Sequence, residues 1–98
     1  MERIILKNFW SHNSDVCNIQ IPIVKNVKEI FGSRIIFESV NAEDNRDIVS
    51  EYNIKEFPTI VIETNGKERE RFVGLTQERF LKRAIKRILR ERHESLSR

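Results

Sequence analysis

The sequence lacks the residues that stabilise small domains through covalent bonds. Its 98 residues contain one cysteine, Cys17, so an internal disulfide is impossible. We also find no set of side chains spaced as metal ligands and no cofactor-binding motif, and we expect neither a metal nor a cofactor. The fold must therefore depend on its hydrophobic core.

Long hydrophobic runs are also missing. No segment approaches the ~18 consecutive apolar residues that a membrane-spanning helix needs. The apolar stretch Ile4-Ile5-Leu6 is followed at once by polar residues, without the longer apolar region and cleavage site of a secretory signal. We therefore expect a cytoplasmic protein with no membrane partner. A chain of this length forms one domain.

Positive charge is concentrated in one segment. The chain carries a net charge of +3, whereas residues 77–92 alone contain seven basic and two acidic residues. We interpret this segment as the solvated face of an amphipathic helix. The only aromatic residue among the basic ones, Phe80, is assigned to the apolar face, so nucleic acid is not expected as a partner.

Hydrophobic periodicity and turn residues predict seven elements. The predicted strands are 3–9, 34–40, 59–63 and 68–73, and the predicted helices are 15–31, 46–52 and 77–92. Asn65-Gly66 predicts a hairpin between the last two strands. This order, β-α-β-α-β-β-α, predicts a mixed four-stranded sheet with helices on both faces. We expect a domain over residues 1–92 and a flexible tail over 93–98.

Two helices have recognisable apolar faces. The stripe of the first helix is predicted to contain Ile19, Ile23, Val27, Ile30 and Phe31. The face of the last helix is predicted to contain Phe80, Leu81, Ala84, Ile85, Ile88 and Leu89. Asn13 or Ser14 is expected to cap the first helix.

A series of local motifs resembles the thioredoxin family across nearly the whole chain. The motifs are Phe9-Trp10, Ser14 with Cys17 three residues later, Pro22, Phe57-Pro58-Thr59, Asn65-Gly66 and Val73-Gly74. Their order and spacing are similar to those of a small, minimal thioredoxin. The resemblance implies the thioredoxin-like α/β fold.

The resemblance also implies a site, with a departure at its centre. The family's Cys-x-x-Cys motif is here Ser14-x-x-Cys17, so the position of the attacking cysteine holds a serine. A serine hydroxyl stays protonated near neutral pH unless a base activates it, and His12 is the only nearby candidate. Asn8 stands where many thioredoxins have a buried aspartate. Ser14 is either an engineered Cys→Ser change or natural, and the sequence leaves both open.

Pro58 corresponds to the family's cis-proline. In that fold, the backbone of Phe57 faces the active-site helix and can pair with an extended peptide. The resemblance places Trp10, Val16 and Phe57 around this groove. Cys17 and Ser14 are then the catalytic candidates, and Pro58, Phe57, Trp10 and Val16 the substrate-binding ones.

Three functions follow. The first is thiol–disulfide exchange with protein or glutathione disulfides, supported by a thioredoxin-reductase-type electron donor if a dithiol form exists. With serine at position 14, Cys17 is the only thiol, and it can react only as a monothiol. The second is a redox-silent module that binds peptides in the cis-proline groove. The third is an adaptor that binds nucleic acid or an acidic partner through the last helix.

Overall fold

The computed structural model describes residues 3–96, and side chains for residues 3–91. Its elements are β1 (Ile4–Trp10), α1 (Asp15–Phe31), β2 (Ile35–Asn41), α2 (Arg46–Glu51), β3 (Thr59–Thr64), β4 (Lys67–Val73) and α3 (Glu78–Leu96). A 3-10 turn, Gly32–Arg34, connects α1 to β2. The predicted element order is confirmed.

The four strands form one mixed sheet in the order β2-β1-β3-β4. β1 pairs in parallel with β2, as expected for strands joined by a helical crossover. β3 is antiparallel to both β1 and β4, and the β3–β4 hairpin turns at Asn65-Gly66, where both residues have positive φ. The predicted thioredoxin-like sheet is confirmed.

Side chains on the two faces of the sheet form two cores. The larger core lies between the sheet and helices α1 and α3, and its buried members include Ile4, Leu6, Val27, Phe31, Ile60, Ile62, Leu81 and Ile85. The smaller core packs around Phe9, Val40, Ile54 and Val61, with α2 and Tyr52 against it. The alternation of β1 between these cores follows from the two-residue period of a strand.

The final helix is longer than predicted. It ends at Leu96 instead of at residue 92, so residues 93–96 of the predicted tail are helical. Ser97 and Arg98 lie outside the described residues. The division into a domain over residues 1–92 and a flexible tail over 93–98 stays a prediction.

The predicted apolar faces of both long helices need correction. In α1, Ile19 and Ile30 are 55% and 41% exposed, and the buried positions are Cys17, Gln20, Val24, Val27 and Phe31. In α3, Phe80 is 38% exposed, whereas Leu81, Ala84, Ile85 and Ile88 are buried. The wrongly assigned residues lie at the borders of the two apolar stripes. At a border, a small rotation of the helix about its axis decides whether a side chain is buried or exposed.

Gln20 is the polar residue at the centre of the buried face of α1. It is fully buried, and its side-chain amide makes two hydrogen bonds with the backbone of Thr76. Nε2 donates to the Thr76 carbonyl at 3.0 Å, and Oε1 accepts from the Thr76 N–H at 2.8 Å. Gln20 thereby joins α1 to the segment 74–76, hereafter the 74–76 loop, which leads from β4 towards α3.

Replacing Gln20 tests this connection. We expect Gln20→Met to destabilise the fold, because each of the two buried Thr76 backbone groups left without a partner costs about 1–3 kcal/mol. Urea denaturation measures the loss, and Asn18→Ala, at an exposed position of the same helix, should stay within about 0.5 kcal/mol of the parent chain. Equal stability of Gln20→Met and the parent would show that the 74–76 loop is held by other contacts.

Candidate functional site

The loop between β1 and α1 is held by the carboxylate of Glu43, which lies in the loop that follows β2. Glu43 accepts a hydrogen bond from the Ser11 hydroxyl at 2.7 Å and another from the His12 backbone N–H at 3.1 Å. The Ser11 hydroxyl also accepts from the backbone N–H of Asn13 at 3.2 Å. These bonds lower the pKa of Glu43, with the Ser11 hydroxyl as the largest cause. The loop therefore reaches α1 in a defined path.

Ser14 begins α1, but its side chain does not cap the helix. Its backbone is extended, with φ −123° and ψ 111°, and its carbonyl accepts from the Cys17 N–H at 3.2 Å. The Ser14 hydroxyl instead donates across the site to the carbonyl of Phe57, at 3.4 Å. The amino end of α1 thus adjoins the segment that precedes Pro58.

Cys17 lies one turn further into α1 and is shielded from solvent. Its relative exposure is 1%, and it is a free thiol. Ser14, by contrast, is partly exposed at the start of the helix. The two positions therefore differ in access, and only position 14 can meet a large molecule without rearrangement.

The segment that faces Ser14 turns at Pro58. The Phe57–Pro58 peptide bond is cis, and Pro58 itself is buried. Its carbonyl accepts from the Gly74 N–H at 2.8 Å, and the Thr59 hydroxyl donates to the Glu56 carbonyl at 2.8 Å. The 74–76 loop therefore holds the Pro58 segment as well as α1.

Two exposed apolar residues next to this segment were missing from the sequence prediction. Val73 is 57% exposed and pairs with Thr59 across the sheet, and Leu75 is 40% exposed on the 74–76 loop. Val16, which was predicted for the rim, is 41% exposed in the first turn of α1. The sequence Val73-Gly74-Leu75 could have indicated this exposed apolar surface, because an apolar residue stands on each side of a turn-forming glycine. Only the glycine before the helix was used for the prediction.

The side chain of Trp10 makes its hydrogen bond to a residue of β2. Its indole N–H donates to the Ser39 hydroxyl at 2.8 Å, and its ring meets the His12 ring edge-on with centroids 4.9 Å apart. Phe57, in contrast, packs against the smaller core with Val61 and Ile54. The placement of Trp10 at the rim of the Phe57 groove stays a prediction. The His12 ring contacts Trp10, and in the described part of the chain no hydrogen bond from this ring to Ser14 is found.

Comparison with known proteins places this arrangement in a family. The thioredoxin family model matches residues 1–87. The chain belongs to the thioredoxin family. It is 34% identical over 70 residues to a thioredoxin of Mycoplasma genitalium, covering 71% of this chain and 68% of that one. It is 29% identical over 77 residues to a thioredoxin of Rickettsia bellii, covering 79% and 73%.

Solved structures support the same fold. The thioredoxin of Fasciola hepatica superposes with a TM-score of 0.79 at 27% identity, covering 87% of this chain and 80% of that one. Thioredoxin-2 of a malaria parasite superposes with a TM-score of 0.84 at 21% identity, covering 88% and 84%. At this lower identity the likeness concerns the fold alone.

Asn8 is one departure of this thioredoxin-family chain from the family pattern. It is 4% exposed, and its Oδ1 has no hydrogen-bond partner in the described part of the chain. With Trp10, Phe37 and Ser39 it lines a cavity of about 300 Å³ between α1 and the β1–β2 edge. The amide of Asn8 cannot take up a proton as a carboxylate would.

Neither a metal cluster nor a membrane span is found in the described residues. Within residues 3–91, no three His, Cys, Asp or Glu side chains are grouped so as to hold a metal ion. The helices described between residues 3 and 96 include none with the length and apolarity to cross a bilayer.

Acid titration tests the role of Glu43. Because its pKa is lowered in the fold, its carboxylate stabilises the loop above its ordinary pKa near 4.5, and that contribution is lost as the pH falls further. We expect the fluorescence of Trp10, the only tryptophan, to change below about pH 4.5 while far-UV circular dichroism stays native. Glu43→Gln should abolish this change.

A matched control separates this effect from general acidification. The pKa of Glu78 is also lowered, by Asn26 and Lys82, but Glu78 lies on α3. Glu78→Gln should therefore keep the fluorescence transition. A transition that persists unchanged in Glu43→Gln would refute the role of Glu43 in holding the loop.

Proposed function

We propose that the site of this chain has the geometry of thioredoxin-type thiol–disulfide exchange, with Ser14 at the attacking position, and that dithiol exchange requires a cysteine there. The observation that carries the proposal is the 3.4 Å contact between the Ser14 hydroxyl and the Phe57 carbonyl. It brings the attacking position, the residue before the cis-proline and the helix that contains Cys17 to one point on the surface.

The geometry around position 14 suits a thiolate better than a hydroxyl. Position 14 precedes the first turn of α1, where the unpaired amide groups and the helix dipole stabilise negative charge and lower the pKa of a thiol. A serine hydroxyl at this place keeps its proton near neutral pH. Position 14 is therefore placed for exchange but lacks the sulfur atom.

With a thiol at position 14, the reaction balances in two steps. The thiolate attacks one sulfur of a substrate disulfide, forms a mixed disulfide and releases the other substrate sulfur as a thiolate. Cys17 then attacks the position-14 sulfur, forms a disulfide within the chain and releases the second substrate thiolate. Two electrons pass to the substrate, and an external dithiol or a thioredoxin-reductase-type donor returns them.

Substrate choice follows from the rim of the groove. Val16, Val73 and Leu75 present exposed apolar surface next to the backbone of Phe57. An extended peptide can pair with that backbone while its side chains contact the rim. We therefore propose protein disulfides as substrates ahead of the small, polar glutathione disulfide, and a reducing, cytoplasmic setting for the reaction.

The substitution Ser14→Cys tests the proposal. We expect it to confer reduction of insulin disulfides by dithiothreitol well above the uncatalysed rate, because it supplies the missing nucleophile. The parent chain and Ser14→Ala should both stay at the uncatalysed rate. A turbidity assay of the released insulin chains measures the effect.

A second variant keeps the test informative. The double substitution Ser14→Cys with Cys17→Ser should form a mixed disulfide with a protein substrate and fail to release it, which mass spectrometry detects. If Ser14→Cys folds, forms its internal disulfide and still does not reduce insulin, the exchange proposal is overturned.

The burial of Cys17 favours one further candidate, a redox-silent peptide-binding module. At 1% exposure, the only thiol of the parent chain is shielded from substrates, whereas Val73 and Leu75 remain exposed.

If the chain is such a module, the parent chain, with Ser14 in place, should bind an extended apolar peptide, detected as shifts of the Phe57 and Val73 amide resonances. Val73→Asp should reduce the affinity, and Lys67→Asp, exposed at the opposite end of β4, should leave it unchanged. Absence of any shift with the parent chain would rule this candidate out.

A further inference from the structure

The outer face of α3 forms a cleft of about 400 Å³ that is lined entirely by basic side chains. The lining residues are Arg79, Lys82, Arg83, Lys86, Arg87 and Arg90. From Arg79 to Arg90 the cleft runs about 16 Å along the helix axis at the usual rise per residue. Such a concentration of one sign of charge creates a strong local potential for an anionic partner.

For four of these six cations, the described side chains, residues 3–91, include no ion-pair partner. Lys82 pairs with Glu78 at 3.1 Å, and Arg87 pairs with Glu70. Within residues 3–91, no ion pair is found for the other four, which are Arg79, Arg83, Lys86 and Arg90. These four, hereafter the basic row, follow one another at three- and four-residue intervals. Like charges at such spacings destabilise a helix unless an anion neutralises them.

Phe80 borders the basic row and is accessible. The ring is 38% exposed, and the guanidinium carbons of Arg79 and Arg83 lie 4.8 Å and 5.9 Å from its centroid. From the sequence, nucleic acid was not expected as a partner, because Phe80 was assigned to the apolar face of the helix. That reason no longer holds, since the structure places an exposed aromatic ring beside the basic row, with two members of the row, Arg79 and Arg83, against the ring.

We propose that this face of α3 binds single-stranded nucleic acid. The basic row contacts successive phosphates, and the exposed Phe80 ring supplies a surface on which an unpaired base stacks. An acidic protein segment would match the charge but would make no use of the exposed ring. In a duplex the bases are already stacked and cannot reach it. The proposal is independent of the exchange function, because none of its residues belongs to the site at Ser14.

Fluorescence anisotropy with a labelled 20-nucleotide oligo-dT tests the proposal on the full chain. If the basic row makes four phosphate contacts, the logarithm of the binding constant should fall with the logarithm of salt concentration with a slope of about −3. Arg83→Gln with Arg90→Gln should reduce that slope by about half. Lys25→Gln with Lys28→Gln removes the same charge from exposed positions on α1 and should change neither slope nor affinity.

The aromatic contribution has its own variants. Phe80→Leu keeps an apolar side chain and should weaken oligo-dT binding about tenfold at unchanged salt slope, while Phe80→Tyr should retain the affinity. Circular dichroism verifies that each variant is folded. Three results would overturn the proposal: no binding to oligo-dT at 50 mM salt in the parent chain, equal loss of binding in the α1 control, or binding to a duplex or to polyglutamate as tight as binding to oligo-dT.

Discussion

The 74–76 loop is the constraint on which the site depends, because it makes hydrogen bonds to both of its halves. Through Thr76 it binds the fully buried Gln20 and so positions α1. Through the Gly74 N–H it binds the carbonyl of Pro58 and so positions the segment opposite Ser14. Among the described residues, the hydrogen bond found between the two halves runs from the Ser14 hydroxyl to the Phe57 carbonyl. The backbone of the 74–76 loop therefore connects the two sides of the groove.

This arrangement also explains why the rim of the groove is apolar. Val73 and Leu75 flank Gly74, so the loop that holds the Pro58 carbonyl exposes two hydrophobic side chains beside it. Gly74 has a φ of 86°, a region that glycine adopts without strain, and this turn directs its N–H towards Pro58. A surface that would otherwise favour aggregation is thus placed where a peptide substrate can cover it.

The sequence predicted the fold well because its signals were local. Each strand and helix had a clear hydrophobic period or turn residue, and the family landmarks lay in the right order. Other features escaped because they depend on tertiary contacts. Glu43 holds Ser11 from 32 residues away, and no local pattern connects a loop carboxylate to a distant hydroxyl. Gln20 was overlooked because a buried amide resembles a surface residue until its partner, 56 residues away, is known.

The basic row and Phe80 show a different limit. Helical periodicity identified the charged and apolar faces of α3 but could not decide on which side of their border Phe80 falls. That decision depends on how the helix is rotated against β4, which packing alone sets. As a consequence, one residue changed the interpretation of a whole surface.

Position 14 is placed to stabilise an attacking thiolate but carries a hydroxyl group, and this is the claim to be tested. The most direct test is the pH dependence of iodoacetamide alkylation in Ser14→Cys combined with Cys17→Ala, which leaves one thiol at the start of α1. The account predicts an apparent thiol pKa clearly below the value of about 8.5 of a free cysteine. An apparent pKa at or above that value would contradict it, because the helix terminus would then offer the thiolate no stabilisation.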